Sequence, residues 1–376
     1  MQTDTGDIFA GQTLHVEEAS DGGASSSAVA IGNEYSAKGS SQAINVTSHQ
    51  TLAANVTARA EGAVDSYAGP ILSVTSSATG NSGTVSTCCA AGTGTATQTV
   101  TPYHEISAQT FASTTSADQI SADSTALGNT HGWLATNGYS NSTTVQSMQG
   151  AVTATTETSA CCVGYLVGAS ATAVSNNVTV DVTGGAADAV VDQHVDGFGT
   201  TATVLVNQGS ADTAAAVATS TANNVSMTVD GGAASLSNAQ VNESPVNATA
   251  TLNVDTFDSV ASTSAYGVGN SAIVTEVGPG AAIFNSQTNN GAITATANTN
   301  GGSGYEGIAQ ASAIGNAIST YVCASCNGGV QADNSQANAG AVRAYSTVTI
   351  GPAGVIAGQA SAVGNHAAFV VKTPGS

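Results

Sequence analysis

Basic side chains are nearly missing from this sequence. Lys38, Arg59, Arg343 and Lys372 stand against 24 acidic residues in a chain of 376, for a formal charge of −20. A phosphate backbone is held by clusters of Lys and Arg, so nucleic acid is excluded as a partner and an anionic lipid surface nearly so. Cations and amine-bearing polymers are compatible with the charge. Charged residues of both signs make up 7% of the chain, against roughly 25% in ordinary soluble proteins. Aromatics reach 4%, too few for a conventional wide core. No apolar run approaches the roughly 18 residues of a membrane-spanning helix. The opening "MQTDTGDIFAGQTL" is acidic where a signal peptide carries basic residues, which predicts a mature exported form.

Catalytic signatures are missing too. There is no G-x-S-x-G elbow, phosphate-binding loop, H-E-x-x-H or EF-hand loop, and His15, His49, His104, His131, His194 and His366 lack metal-ligand spacing. The sequence therefore predicts no enzyme, no cofactor and no metal. Asp181, Asp188, Asp192 and Asp196 gather in one stretch, but solvated turn carboxylates explain them better than a calcium site.

What the chain has is repetition. An A-x-G-N motif recurs in degenerate forms ending at Asn33, Asn81, Asn129, Asn177, Asn224, Asn270, Asn316 and Asn365. Such a period marks a stacked repeat architecture. Between the motifs, stretches such as "NVTVDVTGG" and "NATATLNVD" alternate apolar and polar residues, the period of half-buried strands. Pairs such as Gly184-Gly185, Gly231-Gly232 and Pro279-Gly280 punctuate them as turns. The segment "SAIGNAISTYV" has a fainter echo in "SQANAGAVRAYSTV" about half a repeat later, which predicts two coils per repeat. The expected fold is all-β: an elongated β-solenoid of about 16 coils from eight ~47-residue repeats, roughly 75 Å long at ~4.8 Å per coil. Residues 27–376 form the single solenoid domain, and residues 1–26 are an N-terminal arm suited to pairing with a neighbouring subunit. The Gly-Asn pair is expected at a coil corner, with Gly supplying positive φ or close approach and the asparagines stacking as an amide ladder.

Six cysteines fall in three local groups, Cys88-Cys89, Cys161-Cys162 and Cys323-x-x-Cys326. In an exported chain these are candidates for local disulfides, Cys323 with Cys326 first; how the vicinal pairs connect stays open. Trp133 and Tyr139 lie beside turn residues and either stack on sugar rings or fill a gap in the core.

The N-terminal "TGDIFAGQTLHVEEAS" (5 to 20), followed by a Ser/Thr/Ala/Asn-rich chain with A-x-G-N motifs, resembles the holdfast anchor proteins of stalked bacteria, specifically the D component. The resemblance implies an exported, outer-membrane-associated protein that works with companion anchor proteins. It implies that these tie an adhesive polysaccharide to the cell, within stable amyloid-like assemblies. It carries over no catalytic residues. "AVAIGNEYSAKGSSQAI" (28 to 44) is similar to the heads of trimeric autotransporter adhesins, and the half-period is close to that of curli subunits, although their regular ladder of Gln and Asn in every coil is not expected here. The expected function is a structural adhesin subunit that forms head-to-tail filaments and holds an amino-sugar polysaccharide. The alternatives are a β-helical enzyme acting on polysaccharide, and a calcium-dependent surface-layer or ice-binding module suggested by Thr-x-Thr runs at 201–206 and 293–299.

Overall fold

In the computed structural model, which describes residues 1–19, 22–323 and 329–372, the alternation becomes parallel strands stacked coil upon coil. The first turn winds through β1 (Gln2–Asp4), β2 (Ile8–Val16) and β3 (Ala24–Ser40) and closes where β4 (Ile44–Leu52) comes to lie on β1. β5 (Val56–Tyr67), β6 (Leu72–Cys88) and β7 (Gly92–Val100) lie on it, then β8 (Glu105–Thr136) and β9 (Ser140–Met148). In the middle the strands run on around the corners as β10 (Ala151–Val195), β11 (Gly199–Asn242) and β12 (Val246–Val277). β13 (Ala281–Asn289), β14 (Ile293–Cys323), β15 (Val330–Asn338), β16 (Val342–Ile350) and β17 (Ala353–Lys372) complete the stack. No helix occurs among the described residues.

The pairing register corrects the coil count. Asn33 lies opposite Asn81, Asn81 opposite Asn129 and Asn270 opposite Asn316, so one coil consumes one whole repeat. The eight repeats make eight coils, about 38 Å of stack at the usual strand spacing. The half-repeat echo has a different origin: residues 312–322 and 335–348 lie on different limbs of the winding. The strands of the N-terminal segment stack on the same winding. β1 pairs with β4 and β2 with β5, so this segment opens the first coil.

Each coil folds into two lobes. In the first, the limb typified by β5 faces the first half of β6, enclosing Val56, Ala58, Ala60, Leu72, Val74 and Ala78 with their counterparts along the axis. In the second, the latter half of the long limb faces the limb typified by β7 and β9, around Val85, Ala96, Trp133, Val178, Val180, Met227 and Leu236. Both spaces are narrow enough for Ala and Val to fill, which accounts for the scarcity of aromatics.

The Gly-Asn motif lies inside a strand at the waist between the lobes, and its glycine does not supply positive φ there. Up to Ala78 the even-numbered residues of β6 point inward, and from Asn81 the odd ones do. Gly80 sits where the phase changes, as at a bulge. A Cβ on it would come within 2.6 Å of the Gly128 carbonyl oxygen, and one on Gly32 within 2.4 Å of that of Gly80. Close approach between coils is therefore the reason for glycine. A recurring set of left-handed positions occurs instead at the turn closing the second lobe, where Ser41, Cys89, Asn137, Gly184 and Gly231 follow one another coil after coil at φ of 61°, 64°, 50°, 72° and 92°.

Candidate functional site

At the waist two columns of carboxamides run the length of the stack. Asn33, Asn81, Asn129, Asn176, Asn223, Asn270 and Asn316 each donate from Nδ2 to Oδ1 of the next member, ending at Asn365, over 2.7–2.9 Å. In the fourth and fifth coils the column uses Asn176 and Asn223. Asn177 and Asn224 stand one residue further on, and Asn224 donates to Asn177 at 2.8 Å. Each column Asn also donates to a carbonyl on the facing limb, for example Asn81 to Thr99 and Asn176 to His194, both at 3.0 Å.

The second column is glutamine: Gln2, Gln50, Gln98, Gln146, Gln193, Gln240, Gln287 and Gln336. Here each residue donates backward, from Nε2 to the Oε1 of the preceding coil, over 2.7–2.8 Å. Each nitrogen also donates to a carbonyl of the facing strand, as Gln98 does to Thr130. Reversing any of these amides would set its oxygen against a carbonyl oxygen, so the facing strand fixes the polarity. The sequence predicts no regular ladder of Gln and Asn in every coil, and the two columns overturn that expectation. The signal was spacing: the glutamine follows its asparagine by 17 residues in six coils and by 20 in the last.

The structure separates the two aromatic candidates. Trp133 is 1% exposed and donates from Nε1 to Thr144 Oγ1 at 2.9 Å. Its ring packs 4.9 Å from that of His131, whose Nε2 meets the Tyr35 hydroxyl from two coils away. Gly83 lies between them, where a Cβ would collide with both rings. Trp133 is thus a core residue, and burial pushes the His131 imidazole down to about 4. Tyr139 is 40% exposed and stands at one end of a trough of about 600 Å³. The trough crosses five coils, floored by Ala187, Ala234 and Ala281, with Asp188 and Gln331 on its walls. Burial, and then the nearby Asp188 carboxylate, push the Tyr139 phenol up.

Cys88 and Cys89 hold their Sγ atoms 2.7 Å apart, and Cys161 and Cys162 theirs 2.9 Å apart; both pairs are thiols here. Cys88 and Cys323 share one column through Thr136, Thr183, Asp230 and Val277. Cys326 lies outside the described residues, and with it the Cys323–Cys326 pairing. Asp181, Asp192 and Asp196 are exposed, and Asp188 is half-buried. Among the described residues no three His, Cys, Asp or Glu side chains converge as metal ligands. No helix among them is long and apolar enough to cross a membrane. Glu276 is buried in the second lobe, where Oε1 accepts from the Gly280 amide at 3.2 Å and Oε2 has no partner. Thr155, Thr203, Thr249 and Thr296 form one lateral row, which ends at Gln109 on one side and Tyr345 on the other.

A family model described as holdfast attachment protein D matches residues 18–292. No curated protein and no solved structure matches the chain.

Proposed function

Because the chain belongs to the holdfast attachment protein D family, we propose that it is a non-catalytic, outer-membrane-associated subunit that holds an amine-bearing polysaccharide to the cell. It does so as a rigid rod, joined end to end with further copies and seated among companion anchor proteins. The observation that carries the reading is the combination of a continuous stack among the described residues with a chain that sets 24 acidic residues against four basic ones. A polymer with repeating ammonium groups meets such a rod at many points at once. Weak single contacts then sum through effective concentration, and long-range attraction speeds the encounter. The trough supports the reading locally, since its alanine floor suits the apolar face of a sugar ring. Tyr139 offers a stacking surface there, and Asp188 offers a partner for an ammonium.

The test is binding of the full chain to a β-linked N-acetylglucosamine polymer, compared between fully acetylated and partly deacetylated forms. The deacetylated polymer should bind more tightly, and its advantage should shrink as salt rises. Tyr139→Ala should weaken binding without changing the melting temperature. Equal affinity for both polymers at low salt would overturn the proposed recognition.

A further inference from the structure

The two amide columns run in opposite senses, and this gives the ends of the rod different chemistry. At the first coil, Gln2 spends Oε1 on Gln50 and one N–H on the Glu34 carbonyl, leaving its other N–H directed outward. Asn33 spends its N–H groups on Asn81 and the Thr51 carbonyl and presents Oδ1. At the last coil the roles are exchanged. Gln336 donates to Gln287 and the His366 carbonyl and presents Oε1, while Asn365 accepts from Asn316 and presents an N–H. Every outward donor at one end therefore has an outward acceptor at the corresponding place on the other.

Four further features match. β1, β2 and β3 pair on one side, with β4, β5 and β6, and β15, β16 and β17 likewise pair on one side, with β13 and β14. The inward residues of β2 and β16, both nine residues long, correspond in order: Ile8 with Val342, Ala10 with Ala344, Leu14 with Val348 and Val16 with Ile350, all half-buried against the first-lobe core. Charge is complementary as well. Residues 336–376 carry Arg343 and Lys372 and no carboxylate side chain, whereas residues 1–49 carry Asp4, Asp7, Glu17, Glu18, Asp21 and Glu34 against Lys38. A third, shorter column, Asn242 to Asn289 to Asn338, ends in an amide whose successor position in a following coil would be that of Asp4.

We infer that the last coil of one molecule is the docking surface for the first coil of a second copy, with both amide columns continuing across the joint. Asn365 of one copy donates to Asn33 Oδ1 of the next, and Gln2 of that next copy donates back to Gln336 Oε1. Joining two like ends with each column set against itself would place donor against donor and acceptor against acceptor, so the columns continue as columns only through a head-to-tail joint. This inference rests on the end-to-end part of the function proposed above and specifies its interface.

Asn365→Asp keeps the acceptor that Asn316 uses but presents a carboxylate oxygen to the next Asn33 Oδ1. Gln2→Glu keeps the acceptor for Gln50 and presents a carboxylate to Gln336 Oε1. Thr249→Asp adds the same charge on a lateral face of the middle of the rod and serves as the control. In sedimentation velocity and negative-stain microscopy of the full chain, wild type and T249D should form filaments. N365D and Q2E should each remain single rods up to at least ten-fold higher concentration, with melting temperatures close to wild type. Mixed in equal amounts, N365D and Q2E should form dimers and stop there, because one retains a sound first coil and the other a sound last coil. Wild-type filaments unaffected by either end variant would overturn this interface while leaving self-association standing. Wild-type rods that stay single at every concentration would overturn both, and polysaccharide binding is read separately from either.

Discussion

Replacing Asn176 by leucine in the middle of the rod tests whether the amide seam holds the coils together. Asn176 donates to Asn223 Oδ1 at 2.9 Å and to the His194 carbonyl at 3.0 Å, and it accepts from Asn129 at 2.9 Å. Leucine has nearly the same bulk and removes all three bonds, leaving one donor and two acceptors buried without partners. Each such group costs about 1–3 kcal/mol, so the loss is about 3–9 kcal/mol. Burying the leucine side chain returns about 1.5–3 kcal/mol. The net expected loss is about 4 kcal/mol, large for one residue. Urea denaturation should show it in the midpoint, and hydrogen exchange should show it concentrated in the coils around Val152–Val195 and Thr200–Val241, because stacked repeats interact with their nearest neighbours. A variant within about 0.5 kcal/mol of wild type, the range of ordinary surface substitutions, would refute the claim that the seam is a main source of cohesion.

Other consequences follow from the buried groups. The single tryptophan, Trp133, should emit at the short wavelengths of an apolar site, and adding polysaccharide should leave its spectrum unchanged; a shift would restore it as a sugar contact. His131 titrates at about 4 in the fold and near 6.5 in the unfolded chain. The unfolded state therefore binds the extra proton first, and stability present above pH ~6.5 is lost as pH falls toward ~4, by about 3 kcal/mol. His131→Phe should flatten that part of a urea-midpoint profile, and parallel profiles would refute the assignment. Burial pushes the Glu276 carboxyl up, against the Gly280 amide, which acts the other way. Its contribution is thus present in acid and lost as pH rises through the raised value, so Glu276→Gln should stabilise the protein at neutral pH and lose that advantage in acid. A pH-independent difference in melting temperature would count against it.

The period, the strand character and the absence of helix among the described residues were legible in the sequence because alternation of small apolar and polar residues has few other structural meanings. The number of residues per coil was not. The half-repeat echo arises because both limbs of one coil obey the same inward–outward alternation, so they resemble each other without stacking on each other. Asparagine was conspicuous through the Gly that precedes it in six of the eight repeats. Glutamine sits in "HQT", "TQT", "VQS", "DQH" and "AQV", contexts with nothing in common but their distance from the asparagine. Trp133 could have been placed by parity. It lies four residues after Asn129, on the inward set that begins at the phase change, and its turn-rich neighbourhood concealed that.

The columns answer a problem that the composition creates. In a stack filled by Ala, Val and Thr, sliding one coil by two residues along its neighbour preserves the inward face and changes apolar burial little, so the hydrophobic core specifies register weakly. An amide column does not tolerate the slide. Moving Asn223 two residues past Asn176 would strip one ladder bond on each side of the displaced amide, and in the glutamine column the same slide would strip Gln240 from both Gln193 and Gln287. At about 1–3 kcal/mol for each buried group left unpaired, a single slipped coil forfeits several kcal/mol. Turns absorb the residual differences in coil length, with successive asparagines 46 to 49 residues apart, while the waist stays in step. Because the two columns point opposite ways, their dipoles oppose each other and the rod gains register without a growing field along its axis. Register between coils is thereby assigned to sixteen side chains at the waist, and the lateral faces are left free to carry carboxylates that a surface partner meets.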